Sequence, residues 1–122
     1  MKPLVSIITV NYNESLVTME FLESVRKLSY SNVEVIVVDN ASPNDDPDAI
    51  KTAFPEIQLI KSYENLGFAG GNNLGVKQSK GEFLLFVNND TIVPEHFLEP
   101  LVETLQNDLN IGMVSPKIKF HW

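Results

Sequence analysis

The chain has 122 residues, of which 43% are hydrophobic and 20% charged, with nine basic and 16 acidic side chains and a formal net charge of −7. That is the composition of one globular domain large enough for a real core. Its charge would repel duplex nucleic acid, and any phosphorylated small molecule too unless a divalent cation or helix N-termini offset it. Cys is absent, so there is no disulfide framework and no thiolate metal site. No apolar run approaches the ~18 residues of a membrane helix, and Met1-Lys2-Pro3 leads into a strand without a signal-peptide core. A cytoplasmic setting is expected.

Leu4–Val10 (LVSIITV) reads as the first strand and runs into Asn11-Tyr12-Asn13-Glu14. From Glu14 to Leu28, apolar residues Val17, Phe21, Leu22, Val25 and Leu28 recur at helical spacing, with Asn13 as the expected N-cap. Ser29 to Asn32 breaks the helix, and Val33–Val38 forms a second strand that runs into Asp39-Asn40. Asp39 to Pro47 is a loop by composition. A short helix over about Asp48 to Ala53 follows, then a strand at Ile57–Lys61 and a turn at Glu64–Gly67. Phe68 to Ser79 reads as a helix despite Gly70, Gly71 and Gly75. Each of those glycines costs about 1 kcal/mol relative to Ala, which points to close backbone approach. Glu82–Val87 is the fourth strand, and its five consecutive apolar residues, Phe83 to Val87, fit burial on both faces. Pro94 and Pro100 suit helix starts, and Leu98, Leu101, Val102 and Leu105 form the stripe of a last helix ending near Asn107. Ile111–Phe120 is expected to be a final strand bent at Pro116. Short strands alternating with helices predict an α/β fold, a doubly wound and mostly parallel sheet.

Three strands thus end in polar tails. In open parallel sheets ligands bind outside the carboxyl ends of the strands. Asp90, after Asn88 and Asn89, is the best metal candidate: one carboxylate binds a free cation poorly but can hold one already bridged to a diphosphate, which also solves the charge problem. The same residues equally suit a plain strand-end turn. Asp39 could accept the imide N–H of a uracil or thymine ring, or cap the turn at Asn40–Ser42. Tyr12 could stack on a base or be a half-buried loop aromatic. Asn65–Gly75 could bring helix N-terminal amides to phosphates, yet it matches neither the dinucleotide-binding nor the P-loop pattern. His96 suits a helix surface, and neither Ser6 nor Ser42 has a histidine at a recognisable spacing.

In this order and spacing VSIITVNYN, VIVVDNAS, ENLGFAGGNNLG and FLLFVNNDT resemble the motifs of family 2 glycosyltransferases of the GT-A, nucleotide-diphospho-sugar transferase-like fold. The form NxGFAGGNNxG with NNDT is most similar to the bacterial rhamnosyltransferase-like branch. The resemblance covers nearly the whole chain; each motif is weak alone, and the four together are specific. It implies an inverting transferase of the hexosyltransferase type, aided by Mg²⁺ or Mn²⁺. Such an enzyme moves a sugar, rhamnose in this branch, from a UDP- or dTDP-sugar to a saccharide or lipid-linked acceptor in cell-surface polysaccharide synthesis. By position it implies that Val10, Asn11, Tyr12 and Glu14 line the nucleoside and that Asp39 meets the uracil or thymine imide. Asn40, Asn73 and Asn89 join the donor site, Asn88 lies near the ribose and Asp90 binds the metal on the diphosphate.

Two departures from the family pattern stand out. Asn88 takes the first place of the D-x-D motif, leaving one carboxylate for the metal, and Asn72 stands where many relatives have Arg. The general base and the acceptor-binding half lie, in this family, downstream of the final strand, so no catalytic residue is expected within the chain. Its end at Phe120-His121-Trp122 has the pattern of a truncation. The expectation is therefore a donor-binding part over residues 1–122, inactive by itself, with an apolar sheet edge that favours self-association. Association with the inner face of the membrane through the full-length protein is a family implication that no amphipathic basic helix here carries. A non-catalytic nucleotide-sugar-binding or assembly module is the rival reading. A nucleotidyltransferase would carry a basic, Gly-rich loop after strand one, where this chain has NYNES.

Overall fold

The computed structural model describes residues 2–115. Four strands, β1 (Val5–Asn11), β2 (Val33–Asp39), β3 (Gln58–Lys61) and β4 (Phe83–Phe86), form one sheet in the order β3-β2-β1-β4. All three pairings are parallel, as the alternation of strands and helices predicts. The chain steps outward from β1 to β2 to β3, then crosses back to set β4 on the other side of β1. The order reverses between β1 and β4, and that reversal leaves a crevice at the strands' carboxyl ends.

Helices α1 (Ser15–Arg26), α2 (Asp48–Ala53), α3 (Gly67–Gln78) and α4 (Leu98–Asn107) connect and cover the sheet. Side chains alternate across a strand, and the two cores follow that parity. Val5 and Ile7 of β1 and Val35 and Val37 of β2 pack with Phe21, Leu22 and Val25 of α1, Ile50 of α2 and Leu98 and Val102 of α4. Ile8, Ile36 and Val38 point the other way, against Leu74 and Val76 of α3. The glycines of α3 serve this second core: a Cβ on Gly75 would sit 2.6 Å from Ile8 Cγ2. The close approach that the glycines signal is to the protein's own sheet.

The structure corrects four expectations. Asn13 is not the N-cap of α1: its backbone is left-handed, with φ of 56°, and its Oδ1 accepts from the Asn44 amide, 3.1 Å. Glu14 takes the cap position and supplies no side-chain bond. Pro94 does not start a helix; it opens the turn closed by Phe97 N donating to Pro94 O at 3.2 Å, and α4 begins at Leu98 with Pro100 in its first turn. β4 is buried on one face only. Phe83 and Leu85 pack on the first core, whereas Leu84 and Phe86 are 42% and 49% exposed, because α3 lies over β1 and β2 and, among the described residues, no strand pairs with the outer edge of β4. Residues 111–115 adopt no strand, and the rest of the expected final strand, with Pro116, lies outside the described residues. Among the described residues no helix is long and apolar enough to cross a membrane.

Candidate functional site

Beyond the carboxyl ends of β1, β2 and β4 the chain opens a cleft of about 310 Å³, lined by Val10, Tyr12, Asn40, Asn65, Gly67, Phe68 and Asn88 to Asp90. It lies at the reversal of strand order, where this class of sheet presents its ligand crevice.

Strand parity decides which polar residues reach it. Val10 and Asn40 fall on the α3 side and line the cleft. Asn11 and Asp39, opposite each other in the register, fall on the α1 side and are buried beneath it. Asn11 Nδ2 donates to Asp39 Oδ1 at 2.9 Å and to Asp45 Oδ2 at 3.3 Å, and Asn11 Oδ1 accepts from Thr18 Oγ1 at 2.7 Å. Asp39 also accepts from the hydroxyl of Ser42, 2.6 Å, and from its amide, 3.1 Å, so its carboxylate caps the turn at Asn40–Ser42. Ala41 inside that turn is left-handed, with φ of 61°, a conformation non-glycine residues hold only when the surroundings over-determine it. The Asn40 amide clamps the entry to α3: Nδ2 donates to Gly67 O at 2.9 Å and Oδ1 accepts from Leu66 N at 3.3 Å. Gly67, at φ of 75°, makes the bend that starts the helix.

Asp45 was missed by sequence reasoning. From the loop after β2 it caps α1, its Oδ2 accepting from Ser15 N at 3.0 Å and from the Ser15 hydroxyl. Burial works to raise its pKa, but hydrogen bonds from the Ser15 hydroxyl, Asn11 and the Ser15 and Asp46 amides hold it below the usual carboxylate range. Nothing periodic marks it within the polar run Asn44-Asp45-Asp46-Pro47. Thr18 was also missed, although a signal existed: it is a hydroxyl on the buried stripe of Phe21, Leu22 and Val25.

At the other wall, Asn88–Thr91 forms a turn closed by Thr91 N to Asn88 O, 3.2 Å. Its central residues are Asn89, half-buried, and Asp90, exposed. Asn89 Nδ2 donates to Thr18 Oγ1 at 3.0 Å. Among the described residues Asp90 has no hydrogen-bond or ion-pair partner, and it is the one carboxylate lining the cleft. Glu14 and Asn73 are exposed and do not line the cleft, while Asn72, the neighbour of Asn73, is buried in α3. No three His, Cys, Asp or Glu residues cluster as a metal cage among the described residues. The arrangement therefore offers an aromatic face at Tyr12, amide acceptors at Asn88 and Asn89, and one free carboxylate. It suits a ligand that brings its own cation better than a free metal ion.

Residues 6–120 match the family model described as glycosyl transferase family 2. The chain belongs to that family. Among curated relatives, glycosyltransferase GlyG of Streptococcus pneumoniae is 30% identical over 118 residues, covering 92% of this chain and 39% of the relative. An uncharacterized glycosyltransferase of Haemophilus influenzae is 31% identical over 111 residues, covering 91% and 37%. The chain thus spans about two fifths of these relatives' length. Among solved structures, Staphylococcus aureus TarS 1-349 in complex with UDP-GlcNAc superposes with a TM-score of 0.76 at 28% identity, covering 88% of this chain and 32% of that one. The mannosyltransferase PcManGT of Pyrobaculum calidifontis, in complex with GDP-Man and Mn²⁺, superposes with a TM-score of 0.70 at 28% identity, covering 77% and 29%. The fold is that of the GT-A glycosyltransferases, of which the chain forms part.

Proposed function

We propose that this chain is the donor-binding part of an inverting glycosyltransferase that takes a nucleoside-diphosphate sugar with Mg²⁺ or Mn²⁺. The observation that carries the reading is the cleft at the β1/β4 reversal, with Tyr12 on one side and the free Asp90 carboxylate on the other. Tyr12 and Val10 supply a surface for the base. Asp39 Oδ2 holds one bond, to the Ser42 amide, and can accept a second, but Asp39 is buried beneath the cleft, so we assign it to a uracil or thymine imide with the Asn40–Ser42 turn displaced on binding. Asn88 is assigned to the ribose and Asn73 to the donor's outer margin.

A cation fits these residues as a passenger on the diphosphate: Asp90 with the neighbouring amide oxygens would hold it, and it would neutralise phosphate charge in a protein of net charge −7. The neighbours' bound donors, GDP-Man with Mn²⁺ and UDP-GlcNAc, support a nucleotide sugar with a metal as the ligand class. Rhamnose is the sugar we assign, on the NxGFAGGNNxG and NNDT sequences. The proposed acceptor is a saccharide or lipid-linked glycan at the inner face of the membrane. Inversion needs a general base for the acceptor hydroxyl. Asp90 is committed to the cation, so the base and the acceptor site are assigned to the length that the relatives have beyond this chain.

Titration with UDP, dTDP and dTDP-rhamnose by calorimetry, with and without Mn²⁺, tests the reading. Metal-dependent binding that Asp90→Ala abolishes is expected. A folded chain that binds none of the three in either condition overturns it and leaves an assembly role.

A further inference from the structure

We infer that Thr18, in the first turn of α1 and outside the cleft lining, is a positioning residue that decides which atom of Asn89 is left for the ligand. The inference deepens the donor-site reading and rests on it for its consequence, though not for its geometry.

Hydrogen-bond direction fixes each link of the chain. The carboxylates of Asp39 and Asp45 can only accept. Both take the amide nitrogen of Asn11, at 2.9 and 3.3 Å, so the carbonyl end of Asn11 must face α1. There it accepts the Thr18 hydroxyl at 2.7 Å. That uses the single proton of Thr18 and leaves its oxygen as an acceptor, which takes Asn89 Nδ2 at 3.0 Å. Asn89 Oδ1 is then the free end, without a partner among the described residues, of a residue that lines the cleft. Asn11 and Thr18 are fully buried, so no water can reverse a link cheaply; a flip at either would set two donors or two acceptors face to face. The polarity fixed by two carboxylates beneath β2 is thus carried across β1 and α1 to the turn after β4.

The consequence is chemical. The end that Asn89 has left to offer a ligand beside Asp90 is a carbonyl oxygen and not an N–H₂ group. Two acceptors side by side receive an electron-poor group, a bound cation or the proton of a hydroxyl, and reject a bare phosphate oxygen.

The test uses Thr18→Val, which keeps the shape and removes the hydroxyl, and Thr18→Ser, which restores it. In the ¹⁵N-labelled, ligand-free chain the side-chain amide of Asn89 should be protected from solvent exchange in the wild type and in Thr18→Ser, and unprotected in Thr18→Val. Affinity for UDP with Mn²⁺ should fall roughly five- to tenfold in Thr18→Val, the scale of one hydrogen bond, with metal-free affinity unchanged and Thr18→Ser close to wild type. Asn89→Ala, at a half-buried position where folding is not at stake, should give the same loss, and the double variant no further loss. Protection of the Asn89 amide and Mn²⁺-dependent affinity both unchanged in Thr18→Val overturn the inference. A wild-type chain that binds no nucleotide defeats the donor-site reading instead, and the Asn89 amide signal then decides the relay alone.

Discussion

At Asp45 the folded carboxyl titrates below its ordinary value of 3.8 because its hydrogen bonds outweigh the burial that opposes them. A depressed carboxyl pKa contributes stability that is complete above the unfolded value and is lost as pH falls through the folded one. Asp45→Asn should therefore cost about 0.5–2 kcal/mol at neutral pH, the range of a lost N-cap, and flatten the acid limb of a stability-versus-pH curve below about pH 4, measured by urea unfolding. Glu34 and Glu99 shift in the same direction. Burial opposes the shift at Glu34, where bonds from Ser6 and the Lys80 and Gly81 amides prevail; at Glu99 the bond from Ser29 leads. The variant should consequently keep part of the acid dependence. Asp90 was legible in the sequence because it ends an apolar run. Asp45 was not, because a carboxylate that caps a helix 30 residues away leaves no local pattern. Asp39 fell between: both roles weighed for it use the same oxygens, and only the fold shows the Ser42 bonds.

Among the elements, α3 depends most on what it lacks. An Ala at position 75 would gain about 1 kcal/mol in helix propensity, yet its Cβ would meet Ile8 Cγ2 at 2.6 Å and Val38 Cγ2 at 3.3 Å. Overpacking of that kind costs about 1–3 kcal/mol. Gly75→Ala should lower Tm, and by moving Gly67 and Phe68 it should also weaken nucleotide binding, both read on one purified variant. The inner strands were legible from their apolar runs and α1 and α3 from spacing and turn residues, within a residue or two at each end, whereas Pro94 misplaced the start of α4. The N-cap of α1 was not, since Asn13 is spent on the Asn44 amide while a distant loop does its work. The apolar run of β4 was misleading: five consecutive apolar residues predict two buried faces, and the second face here is open.

For the molecule as a whole, that open face makes β4 a test of the sheet's sidedness. Leu84→Lys should leave stability within about 0.5 kcal/mol, as surface substitutions do. Leu85→Lys, one residue along and partly buried against the first core, should cost about 1–3 kcal/mol through lost apolar contact and partial desolvation of the charge. Thermal melts of the two variants compare the faces directly, and equal losses would mean that both are covered. The parallel sheet and its polar edge were legible from strand–helix alternation. The strand order, and with it the place of the cleft between β1 and β4, was not: alternation fixes that strands are parallel and says nothing of which neighbour each one takes.

The cap on α1 also has a bearing on time. Ser15 cannot receive its carboxylate until β2 has docked on β1 and the loop carrying Asp45 has closed over the sheet, a contact spanning 30 residues. Because it can form only after β1 and β2 have paired, we expect a φ-value near zero for Asp45→Asn in folding kinetics, which would put this contact on the descent from the folding barrier rather than the climb. Losing it should leave the folding rate nearly unchanged and speed the chain's escape from the native state, so that Asp45 governs how long the cleft persists more than how quickly it appears.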